Sequence, residues 1–265
     1  AGGASAACLA EPPVPAKWKR AADANRELIE AAHAAGHDLV REYNADGSID
    51  PFMSCYNVFF LRGDQNPEAL FIRSDCNFSE FEKHATPRGA SGNGGLGVYQ
   101  TLVDGFALKD GSLPITGYDG NYGKPIINKE SGYTERGFSA QKDIRKTKYN
   151  LYRNCPGATV DSVGADGCTY NQVAASGTYN MYVGREPRFY ASIIYNGATW
   201  KEKTIYTYVD AENGFAAYRD NMNPGEKQTV TGYFIRKYLQ ENNTEFDDKG
   251  SDQFWIEMRV VSAVC

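Results

Sequence analysis

A chain of 265 residues can bury a substantial core, and 42% hydrophobic with 23% charged side chains is an ordinary globular balance. A formal charge of −5 argues against a nucleic-acid partner, because neutralising phosphate takes clustered cations. No apolar run approaches the roughly 20 residues of a membrane helix, and the opening AGGASAACLA lacks the basic and apolar stretches of a secretory signal.

In chain order, Ala4–Ala10 reads as the end of one helix, and a second runs from Pro15 or Ala16 to Ala35, with Pro at its start and Gly36 as its stop. Its apolar stripe is mostly alanine, which lets another helix approach closely, as in stacked helical hairpins. Ser5-Ala6-Ala7-Cys8 is weakly similar to a lipoprotein cleavage site, but only seven residues precede Cys8, so a helix-packing cysteine is the plainer reading. ADGSIDP (45–51) is a turn, since the ligand spacing of a calcium loop is missing. SCYNVFFL (54–61) is an apolar helix or strand, Asn66-Pro67 opens a turn, and Ala69–Arg73 suits a short strand.

Gly92, Gly94 and Gly97 satisfy G-x-G-x-x-G in form, within a flexible glycine-rich stretch at 87–97. No buried strand precedes them, so dinucleotide binding is rejected. A short helix is expected over 98–104, closing at Asp104-Gly105. A long irregular region, 116–182, follows, and its many tyrosines argue for order. The basic run KDIRKTKYNLYR (142–153) reads as a solvated segment. Phe189–Tyr195 alternates as a strand, Asn196-Gly197 signals a hairpin, and 203–210 is the second strand. Residues 232–241 form another short strand or ordered segment, and DQFWIEMRVVSAVC begins a buried helix or strand.

Six cysteines are scattered without a C-x-x-C, which excludes the usual zinc patterns. Cys155 and Cys168 bracket a Gly/Asp-rich loop, and both a bridge and free thiols remain open there. His33 and His37 share a helix face at an i, i+4 step, but Ala34, Ala35 and Gly36 fill the gap, so no metalloprotease motif is present and surface histidines are the reading. No cofactor or metal is expected.

Five stretches then fall in the order of one family. They are Lys17-Trp18-x-x-Ala21-Ala22 with its Ala-rich helix; Asn66-Pro67-Glu68; Leu102-Val103-Asp104-Gly105-Phe106 with Lys109-Asp110-Gly111; Arg185-Glu186-Pro187-Arg188-Phe189-Tyr190 through Trp200; and Gly232-Tyr233-Phe234-Ile235-Arg236-Lys237-Tyr238. Together they resemble the SusD/RagB family of outer-membrane glycan-binding lipoproteins of Bacteroidetes, whose members are longer than this chain. The resemblance implies a mainly α fold: residues 1–84 would be the end of a tetratricopeptide-like helical scaffold with a following short strand, and residues 85–265 an irregular α+β C-terminal lobe with long loops. It also implies a protein that is not an enzyme. Such a protein captures oligo- and polysaccharides at the cell surface, on the outer membrane, and delivers them to a SusC-type TonB-dependent transporter. A lipid anchor would belong to the full-length protein.

Sugar binding needs flat aromatic faces for pyranose C–H groups and polar groups for hydroxyls. Trp200, Tyr118, Tyr122 and Tyr133 are the candidate faces, with Asn121, Asp119 and Arg136 as polar neighbours, all in loops where recognition residues concentrate. The bland alternatives are that Trp200 caps its hairpin and that the tyrosines pack the long loops. Arg188, Phe189 and Tyr190 read as the platform rather than the site. The rival reading is a glycoside hydrolase or lyase, which needs two opposed carboxylates. Asp104, Asp110, Glu186, Asp210 and Glu257 show no pairing in their spacing. A third reading is a protein-only scaffold of the transporter complex.

Overall fold

The computed structural model describes residues 15–61, 65–73, 78–88, 92–120, 123–148, 160–200, 203–208, 229–239 and 258–259. Helix α1 (Pro15–Ala34) starts on its proline and stops at Gly36, whose φ of +88° is left-handed. The His37 N–H reaches the Ala32 carbonyl at 2.9 Å and the Gly36 N–H reaches His33 at 3.0 Å, the paired bonds of a Schellman stop. None of the α1 residues is buried, so its alanine stripe stays open. The helix expected over Ala4–Ala10 lies outside the described residues. Among the described residues no helix is long and apolar enough to cross a membrane.

Helix α2 (Pro51–Asn57) resolves the helix-or-strand ambiguity at 54–61. Asp50 caps it, accepting the Met53 N–H at 3.0 Å, and Pro51 fills its first position. Phe52 and Met53 are its buried side chains, and α2 packs on α5 (Pro187–Ser192). Beyond α1 the described chain is an irregular α+β lobe of short helices and small antiparallel sheets joined by ordered loops.

The segment around Arg185 departs from the expected strand. Residues Pro187–Ser192 are helical, with Glu186 at the N-cap and Pro187 at the first position; only β7 (Ile193–Ile194) is extended, antiparallel to β10 (Phe234–Ile235). Phe189, Tyr190, Ala191, Ile193 and Ile194 are all buried. The alternation there does not mark two faces, because side chains from both nominal faces of the segment are buried, and such a run does not tell strand from helix. The Asn196-Gly197 turn forms, with Gly197 at φ +93° and the Ala198 N–H on the Tyr195 carbonyl at 2.9 Å. The strands it joins do not pair with each other, however: β8 (Thr199–Trp200) pairs instead with β9 (Lys203–Thr204).

The core centres on this segment. Tyr182 lies 4.7 Å from Tyr195, and Phe189 lies 5.4 Å from Tyr195 and 5.8 Å from Phe106, between ring centroids. The Arg185 guanidinium is buried inside it, 5.0 Å from the centre of the Phe189 ring. It donates to the carbonyls of Val103 at 2.6 Å, Phe106 at 2.7 Å and Met181 at 3.0 Å, and so satisfies the C-terminal end of α4 (Gln100–Asp104). Asp143, 3% exposed, accepts from Tyr190 Oη at 2.7 Å and the Gly184 N–H at 2.9 Å, and also contacts Lys109.

The region expected to be irregular contains two sheets. One is the hairpin of β2 (Ile115–Asp119) and β3 (Lys124–Ile127). The other is a three-stranded sheet in which β6 (Thr169–Ala174) lies between β4 (Asp143–Thr147) and β5 (Val160–Val163). The basic run is not a solvated segment over its described part, 142–148. Lys146 sits between Asp46 and Asp166, 2.9 Å from the latter; Arg145 lies 3.6 Å from Asp50, and Lys148 lies 3.9 Å from Glu42. Strand β4 is thus fastened by its cations to the acidic turn at 42–50.

The glycine-rich stretch is pinned rather than flexible over 92–97. The N–H groups of Asn93, Gly94 and Gly95 donate to Lys83, Thr86 and His84 at 2.7–2.9 Å, closing the end of α3 (Phe78–Ala85). A Cβ on Gly92 would fall 2.1 Å from the Thr86 carbonyl oxygen, so only glycine fits. These amides face protein carbonyls, not a phosphate. The strand expected at Ala69–Arg73 shortens to β1 (Ile72–Arg73), antiparallel to β11 (Met258–Arg259). Cys168 is a buried free thiol, so the loop-closing bridge is not formed; Cys155 lies outside the described residues.

Candidate functional site

Gln100 and Asp104 stand one turn apart on α4, so their side chains meet on the same face. Gln100 Nε2 donates to Asp104 Oδ1 at 2.7 Å, and the carboxylate is only 5% exposed. Its other oxygen accepts from the Tyr118 hydroxyl at 2.6 Å. Behind Gln100 the chain of bonds continues inward: Tyr233 Oη donates to Gln100 Oε1 at 2.8 Å, and Tyr182 Oη donates to Tyr233 Oη at 3.3 Å. A polar thread therefore runs from the aromatic core to the β2–β3 hairpin.

Tyr118 is 41% exposed, with its hydroxyl turned inward to Asp104. Burial, then the bond to Asp104, pushes its phenol up to about 12. Tyr99, at the N-cap of α4, is 78% exposed. Asp119 is exposed at the end of β2, opposite Lys124 on β3.

The other expected site residues separate. Trp200 is 0% exposed: β8 turns the indole into the core, where the Arg236 guanidinium lies 5.6 Å from its ring. It presents no face to a ligand, so its assignment to the site is corrected to a core role. Tyr133 is half-buried with its hydroxyl enclosed, and its ring lies 6.0 Å from the Arg185 guanidinium. Burial foremost drives its phenol above the usual range, with Asp104 among the charges acting on it. Arg136 is exposed, and its carbonyl accepts from Asn180 Nδ2 at 2.7 Å. Asn121 and Tyr122 lie outside the described residues. The structure thus keeps Tyr118 and Asp119 on β2, where successive side chains point to opposite faces, sets Tyr133 against Arg185, and sends Trp200 into the core.

Asp104, Gln100 and Tyr99 are what the sequence reading of the site lacked. The i, i+4 spacing of Gln100 and Asp104 in the expected helix at 98–104 is their signal. The acids considered for hydrolysis are engaged locally. Asp104 holds two donors, and Asp110 accepts from the Ser112 N–H at 2.9 Å. Glu186 accepts from Arg188 and from the Ala107 N–H; Asp210 and Glu257 lie outside the described residues. Among the described residues no group of three or more His, Cys, Asp or Glu gathers to hold a metal ion. His37 instead lies 3.0 Å from the Pro67 carbonyl through Nδ1.

The model of the SusD family matches residues 61–261, most of the chain, and the chain belongs to that family. A solved structure of a SusD-like protein from Bacteroides fragilis NCTC 9343 is 18% identical, with a TM-score of 0.46 over 89% of this chain and 36% of that one. The chain thus spans little more than a third of that protein's length. No curated protein matches.

Proposed function

We propose that this chain is the glycan-holding lobe of a cell-surface protein that binds oligo- or polysaccharide without cleaving it and hands it to a SusC-type TonB-dependent transporter in the outer membrane. The observation that carries this reading is Tyr118, whose ring is open to solvent while its hydroxyl is tied to a buried carboxylate. A ring already held in place loses little freedom when a sugar stacks on it. Membership of the SusD family supports glycan as the ligand class. Asp119 supplies a polar group on the hairpin itself, and Asn121 and Tyr122 follow it in sequence. Residues 1–84 are read as the end of a tetratricopeptide-like helical scaffold, and the open alanine stripe of α1 suits a further helix packing on it. A lipid anchor is assigned to the full-length protein.

The test is native affinity electrophoresis of the chain through gels cast with a panel of polysaccharides, with reducing-sugar release assayed alongside. Retardation without release is expected. Release of reducing sugar would establish an enzyme, and absence of retardation on every polysaccharide would remove the glycan assignment.

A further inference from the structure

We infer that Asp104 is the positioning residue of the candidate site, setting the Tyr118 ring and the outer part of the β2–β3 hairpin for ligand through the Tyr118 hydroxyl; this rests on reading that face as the glycan site.

The hairpin cannot fix Tyr118 by itself. Its register places Tyr118 opposite Pro125, which has no N–H to give to the ladder, and a bulge falls between Ile115 and Gly117. The base is secured by Asn128, whose N–H and Nδ2 donate to the carbonyls of Pro114 and Leu113 at 2.9 Å each. The bonds further out, including Thr116 Oγ1 to the Ile126 carbonyl, stay inside the hairpin. Where the ladder is weakest, the Tyr118–Asp104 bond reaches from the hairpin to the body.

That anchor is itself firm. Asp104 is held by Gln100 on its own helix, and the adjacent Val103 is fully buried with its carbonyl on Arg185. The rigidity of the core is therefore delivered to one exposed aromatic ring through one carboxylate. A hydroxyl bonded to a charged group is among the stronger neutral-to-ion contacts in a protein. Its loss frees both the ring and the strand that carries it.

The experiment compares the wild-type chain with Asp104→Ala, Asp104→Asn, Tyr118→Phe and the double Asp104→Ala/Tyr118→Phe variant. Amide hydrogen exchange over Thr116–Ile127 gives a readout that needs no ligand. Affinity gels containing soluble starch, arabinoxylan or mucin give the binding readout. Asp104→Ala and Tyr118→Phe are each expected to speed hairpin exchange about tenfold, and to weaken binding to any retarding polysaccharide by a similar factor. The double variant is no worse than either single one, because both remove the same bond. Asp104→Asn, which keeps an acceptor, recovers part of the loss in each readout.

Additive effects in the double variant, or unchanged exchange in Tyr118→Phe, would overturn the inference and leave Asp104 acting only through Gln100 and the core. Equal, non-additive loosening with no retardation on any of the three polysaccharides would instead sink the glycan reading while the positioning contact stood.

Discussion

Arg185 Nη2 donates to the carbonyl oxygen of Val103 at 2.6 Å, joining residues 82 positions apart. The same guanidinium serves Phe106 and Met181, so one side chain donates to three backbone acceptors. Arg185→Ala is expected to lower stability by about 3–5 kcal/mol, because it strands buried carbonyls as well as losing charged bonds. Arg185→Lys should recover little, since a single ammonium does not reproduce the planar fork. Urea denaturation of the three proteins measures both.

Asp50 has two duties, capping α2 through the Met53 N–H and facing Arg145 at 3.6 Å. Asp50→Ala removes the cap and leaves a nearly enclosed guanidinium without its counter-charge, a loss of about 2–4 kcal/mol. Arg145→Met keeps the contact over the Phe52 ring and should cost less than Asp50→Ala. Equal losses in denaturant titration would refute that ordering.

Lys146 holds the carboxyls of Asp46 and Asp166 below the usual range through direct hydrogen bonds. A depressed carboxyl contributes stability that is present above its unfolded value, near pH 4, and disappears as pH falls through the folded value. The clamp between the 42–50 turn and β4 is therefore intact at pH 5 and weakens steadily below pH 4. Lys146→Met should flatten that acid limb. Melting temperatures from pH 5 to pH 2 would show it, and parallel curves for both proteins would rule the clamp out as the cause.

Trp200→Ala and Tyr118→Ala should separate stability from binding. The buried indole leaves a large cavity, so Trp200→Ala is expected to cost about 3–5 kcal/mol. Tyr118→Ala removes a partly exposed ring and should shift the melting temperature far less while abolishing most polysaccharide retardation. A Trp200→Ala chain that melts like wild type would return the indole to the list of ligand faces.

What was legible in the sequence were features with local chemical causes. Pro15 and Gly36 marked α1 because one fits a first helical turn and the other a left-handed stop. The helix at Gln100–Asp104 and the turn at Asn196-Gly197 were legible for the same kind of reason. The Phe189–Tyr195 segment was misread because both nominal faces of the run are buried, so its apparent alternation did not separate strand from helix. Trp200 was misread because nothing in its neighbours says which way a two-residue strand turns its side chains. The Tyr118–Asp104 contact joins residues 14 apart on different elements, and the Lys146–Asp46 pair joins residues 100 apart. Only the folded path of the chain brings such pairs together.

Gly92 and Gly95 look alike in the string Gly92-Asn93-Gly94-Gly95, yet a Cβ would collide with the Thr86 backbone at the first and come no nearer than 4.0 Å to His84 at the second. A saturation library of this stretch should come back split, invariant at position 92 and tolerant at position 95. Their apparent low complexity conceals one rigid joint in the chain, and a peptide tag inserted there would pry open the end of α3.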